Sequence, residues 1–218
     1  MSEEIKRVIS DSLRKLRIEK EVEVAMMADI LGIPRSTLET YLYARSIPPL
    51  DTVIHICNQY QVSINDFLTP LIQKPNEQDS ISQVILVFES LSQFQRGIVN
   101  QIVAPIVQSM AEGIPELSGV GFGQRARILR EDYRLSLVSA AQSCGIAPDS
   151  LKVLESNQRL PSISTFLEFC KTLHVSPEYL LSDRLEYLSV DKRFYTLSPR
   201  QLSALAECTS RLKKALFA

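Results

Sequence analysis

The sequence lacks a long apolar run and an excess of charge of either sign. No apolar run approaches the roughly 18 residues that a membrane span needs, and the first residues, M-S-E-E-I-K-R, contain no apolar signal-peptide core. The net charge of −1 gives no overall bias toward a polyanion or an anionic membrane. We therefore predict a cytoplasmic globular protein without a membrane partner, in which any cationic surface arises from local clustering.

Cysteine and histidine are also scarce, and their placement excludes several kinds of site. His55 and His174 have no second ligand or catalytic partner beside them. The four cysteines stand apart in apolar helical patterns, without a C-x-x-C motif: Cys57, Cys144, Cys170 and Cys208. We predict reduced, buried thiols, no metal and no cofactor. No Ser/His/Asp set or glycine-rich phosphate loop is present, so an enzyme is not expected.

What the chain does contain is a long internal repeat. Shifting the sequence by 113 residues aligns 13–68 with 126–181 without a gap. Gly32 matches Gly145 and Pro48 matches Pro161, and most apolar positions keep their character. Because glycine, proline and the helical apolar period coincide over this length, we predict two copies of one structural unit.

The apolar periodicity throughout is that of helices, which predicts an all-α fold. In each copy a helix ends at a glycine expected to have positive φ (Gly32, Gly145), and a second helix follows. After each copy comes an S-x-x-Q capping box, Ser92 with Gln95 and Ser198 with Gln201. An apolar stripe of step four spans 94–110, and Pro105 is expected to kink or split its helix.

Each copy resembles the Cro/CI-type (XRE-family) helix-turn-helix domain of bacterial and phage repressors. The matching positions are the R-x-x-R pair, the Ala and Gly-Ile of the turn, the following Leu, and the Pro and Val-Ser further on. In the first copy they are Arg14, Arg17, Ala28, Gly32, Ile33, Leu38, Pro48, Val62 and Ser63; in the second, Arg127, Arg130, Ala141, Gly145, Ile146, Leu151, Pro161, Val175 and Ser176.

The resemblance implies two tandem lambda-repressor-like five-helix domains, each followed by a helical extension. We expect an N-terminal helix-turn-helix domain at 1–70 and a helical linker or dimerisation segment at 71–118. A second helix-turn-helix domain is expected at 119–183, with a C-terminal helical extension at 184–218.

In that family the recognition helix enters the major groove of DNA, and its first residues contact base edges. Carried onto the first copy, Arg35, Ser36 and Thr40 would contact bases, while Tyr43 and Arg45 would skirt a phosphate strand. Arg17 has Leu42 where the family often has a glutamate partner, which favours a phosphate contact. The DNA-binding candidates are Arg14, Arg17, Arg35, Ser36, Thr37, Thr40, Tyr43 and Arg45.

The second copy is less suited to base recognition. Pro148, Asp149 and Val153 stand at its base-contacting positions, so it offers a ring without an N–H donor, a carboxylate and an alkyl group. Its weaker, secondary DNA-binding candidates are Ser150, Lys152 and Arg159. By contrast it keeps the family's structural ion pair, Arg130 with Glu155.

These features favour a sequence-specific DNA-binding transcriptional regulator of the repressor type. Double-stranded DNA is the expected partner, with the first copy reading bases and the second supporting it. Helices at 81–110 and 199–217 are expected to form a homodimer through their wide apolar stripes. The alternative is a protein-interaction adaptor built on helix-turn-helix folds with little DNA binding, which the near-neutral charge and the degraded second helix favour.

Overall fold

The computed structural model describes residues 2–69, 71–72, 84, 87, 90–111, 121–173, 175–186, 197 and 199–217. Within these ranges the chain is all-α and forms no strand, as predicted. Among the same residues, no helix combines the length and apolarity needed to cross a bilayer. His174, Ser198 and most of the segment from 73 to 89 lie outside the described residues.

The helices follow the predicted duplication. The first unit consists of α1 Ser2–Glu19, α2 Val24–Leu31, α3 Arg35–Leu42, α4 Leu50–Tyr60 and α5 Ile64–Phe67, and α6 Gln93–Ala111 follows it. The second unit consists of α7 Phe122–Asp132, α8 Leu137–Ser143, α9 Pro148–Glu155, α10 Ile163–Thr172 and α11 Pro177–Leu181, and α12 Pro199–Phe217 follows it.

The turn between the second and third helices of each unit is built around the predicted glycine. Gly32 has φ +62° and Gly145 has φ +66°. In both turns the next amide reaches back to the helix, Ile33 N to Ala28 O at 3.1 Å and Ile146 N to Ala141 O at 3.0 Å. A residue with a Cβ resists this left-handed conformation, so glycine fixes the place where the chain reverses.

The core of each unit holds its recognition helix by one face. In the first unit Ile9 and Leu13 of α1 are fully buried together with Leu38 of α3. In the second unit the Phe122 ring packs against two phenylalanines of α10, Phe166 at 5.9 Å and Phe169 at 5.5 Å between centroids. Of the four cysteines predicted to be buried, Cys57, Cys144 and Cys170 are buried free thiols, whereas Cys208 is a free thiol that is only half-buried. Burial raises the pKa of Cys57.

The extension helices pack against each other within the chain. On α6 a stripe of step four, Val99, Val103 and Val107, is buried, and α12 contacts this helix. Lys213 Nζ donates to Ser90 Oγ at 2.6 Å, so the end of α12 lies beside the start of α6. Much of the apolar surface that the sequence suggested for a second copy is therefore covered internally.

Helix α6 is continuous at Pro105, where the sequence predicts a kink or a split. It runs without interruption from Gln93 to Ala111, so the expected split does not occur. Val103 and Val107, on the two sides of Pro105, are buried, and their burial outweighs the one backbone hydrogen bond that proline removes. The capping box at its start is confirmed: Ser92 N donates to Gln95 Oε1 at 2.9 Å, and Gln95 N to Ser92 Oγ at 3.3 Å.

Two glycine substitutions test the role of the turn. Gly32→Ala is expected to lower the free energy of unfolding by about 1–2 kcal/mol, because alanine is strained at positive φ. Gly97→Ala, in the interior of α6 with open space around the site, is expected to raise it by about 0.5–1 kcal/mol. Urea unfolding of both full-length variants measures the difference, and a stabilising Gly32→Ala would contradict the turn assignment.

Candidate nucleic-acid interface

Helix α3 is anchored by its inner face and exposes its leading edge. Leu38, Tyr41 and Leu42 are buried, while Arg35 and Ser36 in the first turn are exposed. Thr37 is half-buried, and its amide donates to Pro34 O at 2.9 Å. The side chains that begin the helix therefore lie at the surface, as recognition of a DNA groove requires.

Arg35 is held on this surface by a carboxylate one turn further along. Its Nε lies 2.8 Å from Glu39 Oε1, and the Arg35 side chain is 66% exposed. An exposed pair of this kind is worth only about 0–1 kcal/mol. Glu39 therefore orients the guanidinium along the helix without preventing its exchange for a base or a phosphate.

The hydroxyl of Thr40 is already used inside the protein. Its Oγ1 donates to Thr37 O at 2.7 Å and lies 2.7 Å from Ser46 Oγ. Because a hydroxyl has a single proton, Ser46 must donate in the second bond. Thr40 thus ties the loop after α3 to the helix, and its methyl group is the part left for a thymine.

That loop presents an aromatic and cationic pair. Tyr43 is 59% exposed, and the Arg45 guanidinium carbon lies 5.4 Å from the centroid of its ring. Ala44 between them has φ +53°, and Arg45 N donates to Thr40 O at 2.8 Å. The backbone thus folds back on α3 and places Tyr43 and Arg45 beside its C-terminal end.

The two arginines of α1 differ in their surroundings. Arg14 Nε donates to Leu42 O at 2.8 Å, and Ser10 Oγ donates to the same carbonyl at 2.5 Å, so both cap the end of α3. Arg17 is half-buried, and no carboxylate among the described residues lies within ion-pair distance of it. Arg14 is therefore tied to the recognition helix, whereas Arg17 keeps its charge available.

The second unit has the predicted structural ion pair. Arg130 Nε and Nη2 donate to the two carboxylate oxygens of Glu155, at 2.6 and 3.0 Å. The side chains are only 12% and 8% exposed, and a third bond joins Arg130 Nη1 to Leu135 O. The hydrogen bond to Glu155 raises the pKa of Arg130. This bidentate pair fixes α9 to α7, and the first unit has buried Leu42 in place of Glu155.

The leading edge of α9 carries an acid. Asp149 is 93% exposed, and Lys152 Nζ lies 3.4 Å from its Oδ1. Ser150 is half-buried, and Arg159 is exposed on the following loop. An open depression of about 420 Å³ is lined by Asp149, Ser150, Val153, Gln158 and Arg159. The secondary candidates thus lie close together, but around a carboxylate that repels phosphates.

Sequence reasoning missed the groups that position the recognition helices. Ser10 and Ser46 hold the end of α3 and its loop, and no sequence motif distinguishes them from the other serines of the chain. In the second unit Asn157 Oδ1 accepts from Gly123 N at 2.6 Å, and a Cβ on Gly123 would lie 1.9 Å from Leu154 O. The sequence signal for this close contact is Gly123 itself, because alanine would be the better helix former in the first turn of α7 if there were room for a Cβ.

Anchored second and third helices with an outward leading edge define a helix-turn-helix DNA-binding protein. A model of the Cro/C1-type HTH DNA-binding domain matches residues 12–70, and a helix-turn-helix model matches 127–180. The chain belongs to the Cro/C1-type helix-turn-helix family and carries two such domains, with matches over just over half its length. Neither matching model describes an enzyme. A search of curated proteins and a search of solved structures found no match.

Matched arginine substitutions test the divergence of the two domains. Arg130→Ala is expected to lower the free energy of unfolding by about 3 kcal/mol, because Glu155 would stay nearly buried without its cation. Arg17→Ala, at the equivalent position, is expected to cost less than about 0.5 kcal/mol. Urea unfolding of the full-length chain gives both values, and equal losses would contradict the assignment.

Proposed function

We propose that the protein is a sequence-specific transcriptional repressor whose first domain recognises bases and whose second domain supports binding. Two Cro/C1-type domains imply DNA binding and transcriptional regulation. The observation that carries the division of roles is the contrast between two exposed helix edges. Arg35 and Ser36 begin α3, whereas Pro148 and Asp149 begin α9.

Base recognition is assigned to Arg35, Ser36 and the methyl group of Thr40. A bidentate bond from Arg35 to guanine O6 and N7 discriminates by about 1–3 kcal/mol. Releasing Arg35 from Glu39 costs about 0–1 kcal/mol, so the exchange is favourable on balance. A freed Glu39 carboxylate beside the groove would accept a cytosine amino group, which suits a neighbouring G·C pair.

Contacts to the DNA phosphate backbone are assigned to the arginines around the leading edge of α3 and to Tyr43. Arg17 supports this role because it has a charge without an ion-pair partner among the described side chains. Arg45 supports it because its ring contact leaves the guanidinium at the surface. Together with Arg14 and Arg35 they give about four phosphate or base contacts, and hence a log–log salt slope of about −4.

The second domain contributes too little affinity to specify a site. With a non-specific Kd of about 10⁻⁴ M and an effective concentration of about 1 mM, it strengthens binding about tenfold, or about 1.4 kcal/mol. Ser150, Lys152 and Arg159 are the side chains assigned to these weak contacts. The domain then helps to hold a site that the first domain has chosen.

The sequence predicts a homodimer through the apolar stripes of both extension helices, and we place its contact on one face of α6. Beside its buried valines α6 has a second stripe, in which Phe94 is 77% and Ile102 38% exposed while Ile98 and Ile106 are half-buried. Residues 97–111 include no charged side chain, so two copies of this face can meet without desolvating a charge. We assign the dimer contact to this stripe, which brings two base-reading domains to one operator.

An adaptor is the second candidate, favoured by exposed apolar side chains on the first domain. Ile18 is 69% and Met26 60% exposed, and neither lies on the leading edge of α3. Titration of random duplex DNA against salt separates the two functions. A clear negative slope supports the repressor, and absence of binding at low salt supports the adaptor.

Arginine substitutions at the proposed interface test the roles directly. Arg35→Ala is expected to weaken operator binding by about 1–3 kcal/mol and to relax the preference at one base pair. Arg45→Ala is expected to weaken binding to all sequences alike and to reduce the salt slope by about 1. Fluorescence anisotropy with operator and scrambled duplexes measures both effects.

Lys171→Ala is the matched control in the second domain, because it removes an exposed cation of α10 to which no DNA contact is assigned. It is expected to change affinity by less than about 0.5 kcal/mol. An Arg35→Ala variant with undiminished sequence preference would refute the assignment of α3 as the reading helix.

The dimer contact has its own test. Phe94→Ser combined with Ile102→Ser is expected to convert the dimer to a monomer at micromolar concentration, because the stripe loses its exposed apolar area. Leu216→Ser, which removes an exposed apolar side chain from α12, is the control and should leave the dimer intact. Light scattering gives the mass, and a monomeric unmodified protein would rule out the contact.

A further inference from the structure

The two helix-turn-helix domains contact each other through equivalent positions. The fifth helices of the two units, α5 and α11, lie against each other. Glu178 N donates to Asn65 Oδ1 at 3.3 Å, and these two residues are related by the repeat offset of 113. A position that meets its own equivalent is the mark of an isologous, two-fold-like pairing. The extension helices α6 and α12, which are also equivalent in the two copies, contact each other as well.

The side chains at this contact are nevertheless different on the two sides. Ser63 Oγ of the first domain donates to Glu178 Oε1 of the second at 2.6 Å. Glu178 is only 6% exposed, so its carboxylate is nearly buried where the domains meet. Burial raises the pKa of Cys57 in the first domain, and the negative charge of Glu178 across the contact raises it further.

A second group of contacts extends the same surface to the chain after α11. Asn58 Nδ2 donates to Arg184 O at 2.8 Å, and Asn58 Oδ1 accepts from Glu186 N at 2.9 Å. Arg184 Nη1 lies 3.4 Å from Asp51 Oδ1. The first domain thus supplies an amide and an acid, and the second supplies backbone groups and a cation.

These differences decide which pairs can form. Two second domains joined by this surface would place Glu178 against another Glu178, and keeping two ionised carboxylates together in a nearly buried site is costly. Two first domains would place Asn65 against Asn65, and Ser63 would lose its carboxylate acceptor. A first domain with a second domain avoids this pair of carboxylates and gives Glu178 the Ser63 hydroxyl as a donor.

We propose that the α5–α11 surface is a docking surface selective for one first and one second domain, occupied within a single chain. The second domain is then a built-in partner of the first, and this pairing is favoured over symmetric pairing through the same surface. This role does not depend on whether the second domain contacts DNA.

A charge exchange across the contact tests the proposal. Asn65→Glu places a carboxylate against Glu178 but suits the first turn of α5, where an acid is favourable, so the domain should still fold. The Glu186 amide, bonded to Asn58 across the interface, serves as the reporter. Its hydrogen exchange, measured by NMR on the full chain without DNA, is expected to accelerate at least about tenfold as the contact opens.

The double variant Asn65→Glu with Glu178→Asn restores one acid and one amide with their places exchanged. Ser176, the equivalent of Ser63, can then donate to the new carboxylate, so protection of the Glu186 amide is expected to return. Gln142→Glu, which adds the same charge at an exposed position of α8, should leave the amide protected.

Three outcomes would overturn the proposal. They are an unchanged Glu186 amide in Asn65→Glu, a double variant that does not recover, and protection that falls on dilution of the unmodified protein. The last result would mean that the contact forms between chains.

Discussion

Burial of the inner face of α3 is the constraint on which the other features of the first domain depend. Leu38, Tyr41 and Leu42 occupy the core against α1, so the helix cannot rotate its leading edge inward without exposing them. Fully burying such side chains is worth about 1.5–3 kcal/mol each. That energy, rather than any contact made by Arg35, keeps the first turn at the surface. The caps from Ser10 and Arg14 then fix the far end of the helix.

The two domains share one fold but differ at the junction between the first helix and the recognition helix. In the second domain Glu155 and Arg130 form a nearly buried bidentate pair that stiffens the junction of α7 with α9. In the first domain Leu42 stands where the second domain has Glu155, so Arg17 has no carboxylate partner at this junction. The glutamate-to-leucine difference therefore replaces an internal ion pair with a cation that is available for phosphate. The exposed acid at the start of α9 completes the contrast with Arg35 at the start of α3, because a carboxylate at a leading edge opposes phosphate contact there.

The sequence was sufficient for features that depend on local chemistry. Gly32 and Gly145 mark turns because only glycine accepts their φ readily, and the helical period placed Leu38 and Leu151 in the cores. Features set by distant contacts were not predictable. The Thr40 bond to Ser46 needs the folded loop, the continuity of α6 through Pro105 needs its buried valines, and the pairing of α6 with α12 needs the three-dimensional arrangement of both copies.

Selection of bound sequences from random duplex DNA tests the central claim most directly. The selection uses the Phe94→Ser, Ile102→Ser double variant, which is expected to be monomeric, so that a single chain occupies each duplex. An outward α3 with a cationic edge and an α9 with an acidic edge predict one strongly specified half-site beside weakly specified sequence. Two equally informative half-sites from one chain, or no enriched sequence at all, would contradict the account.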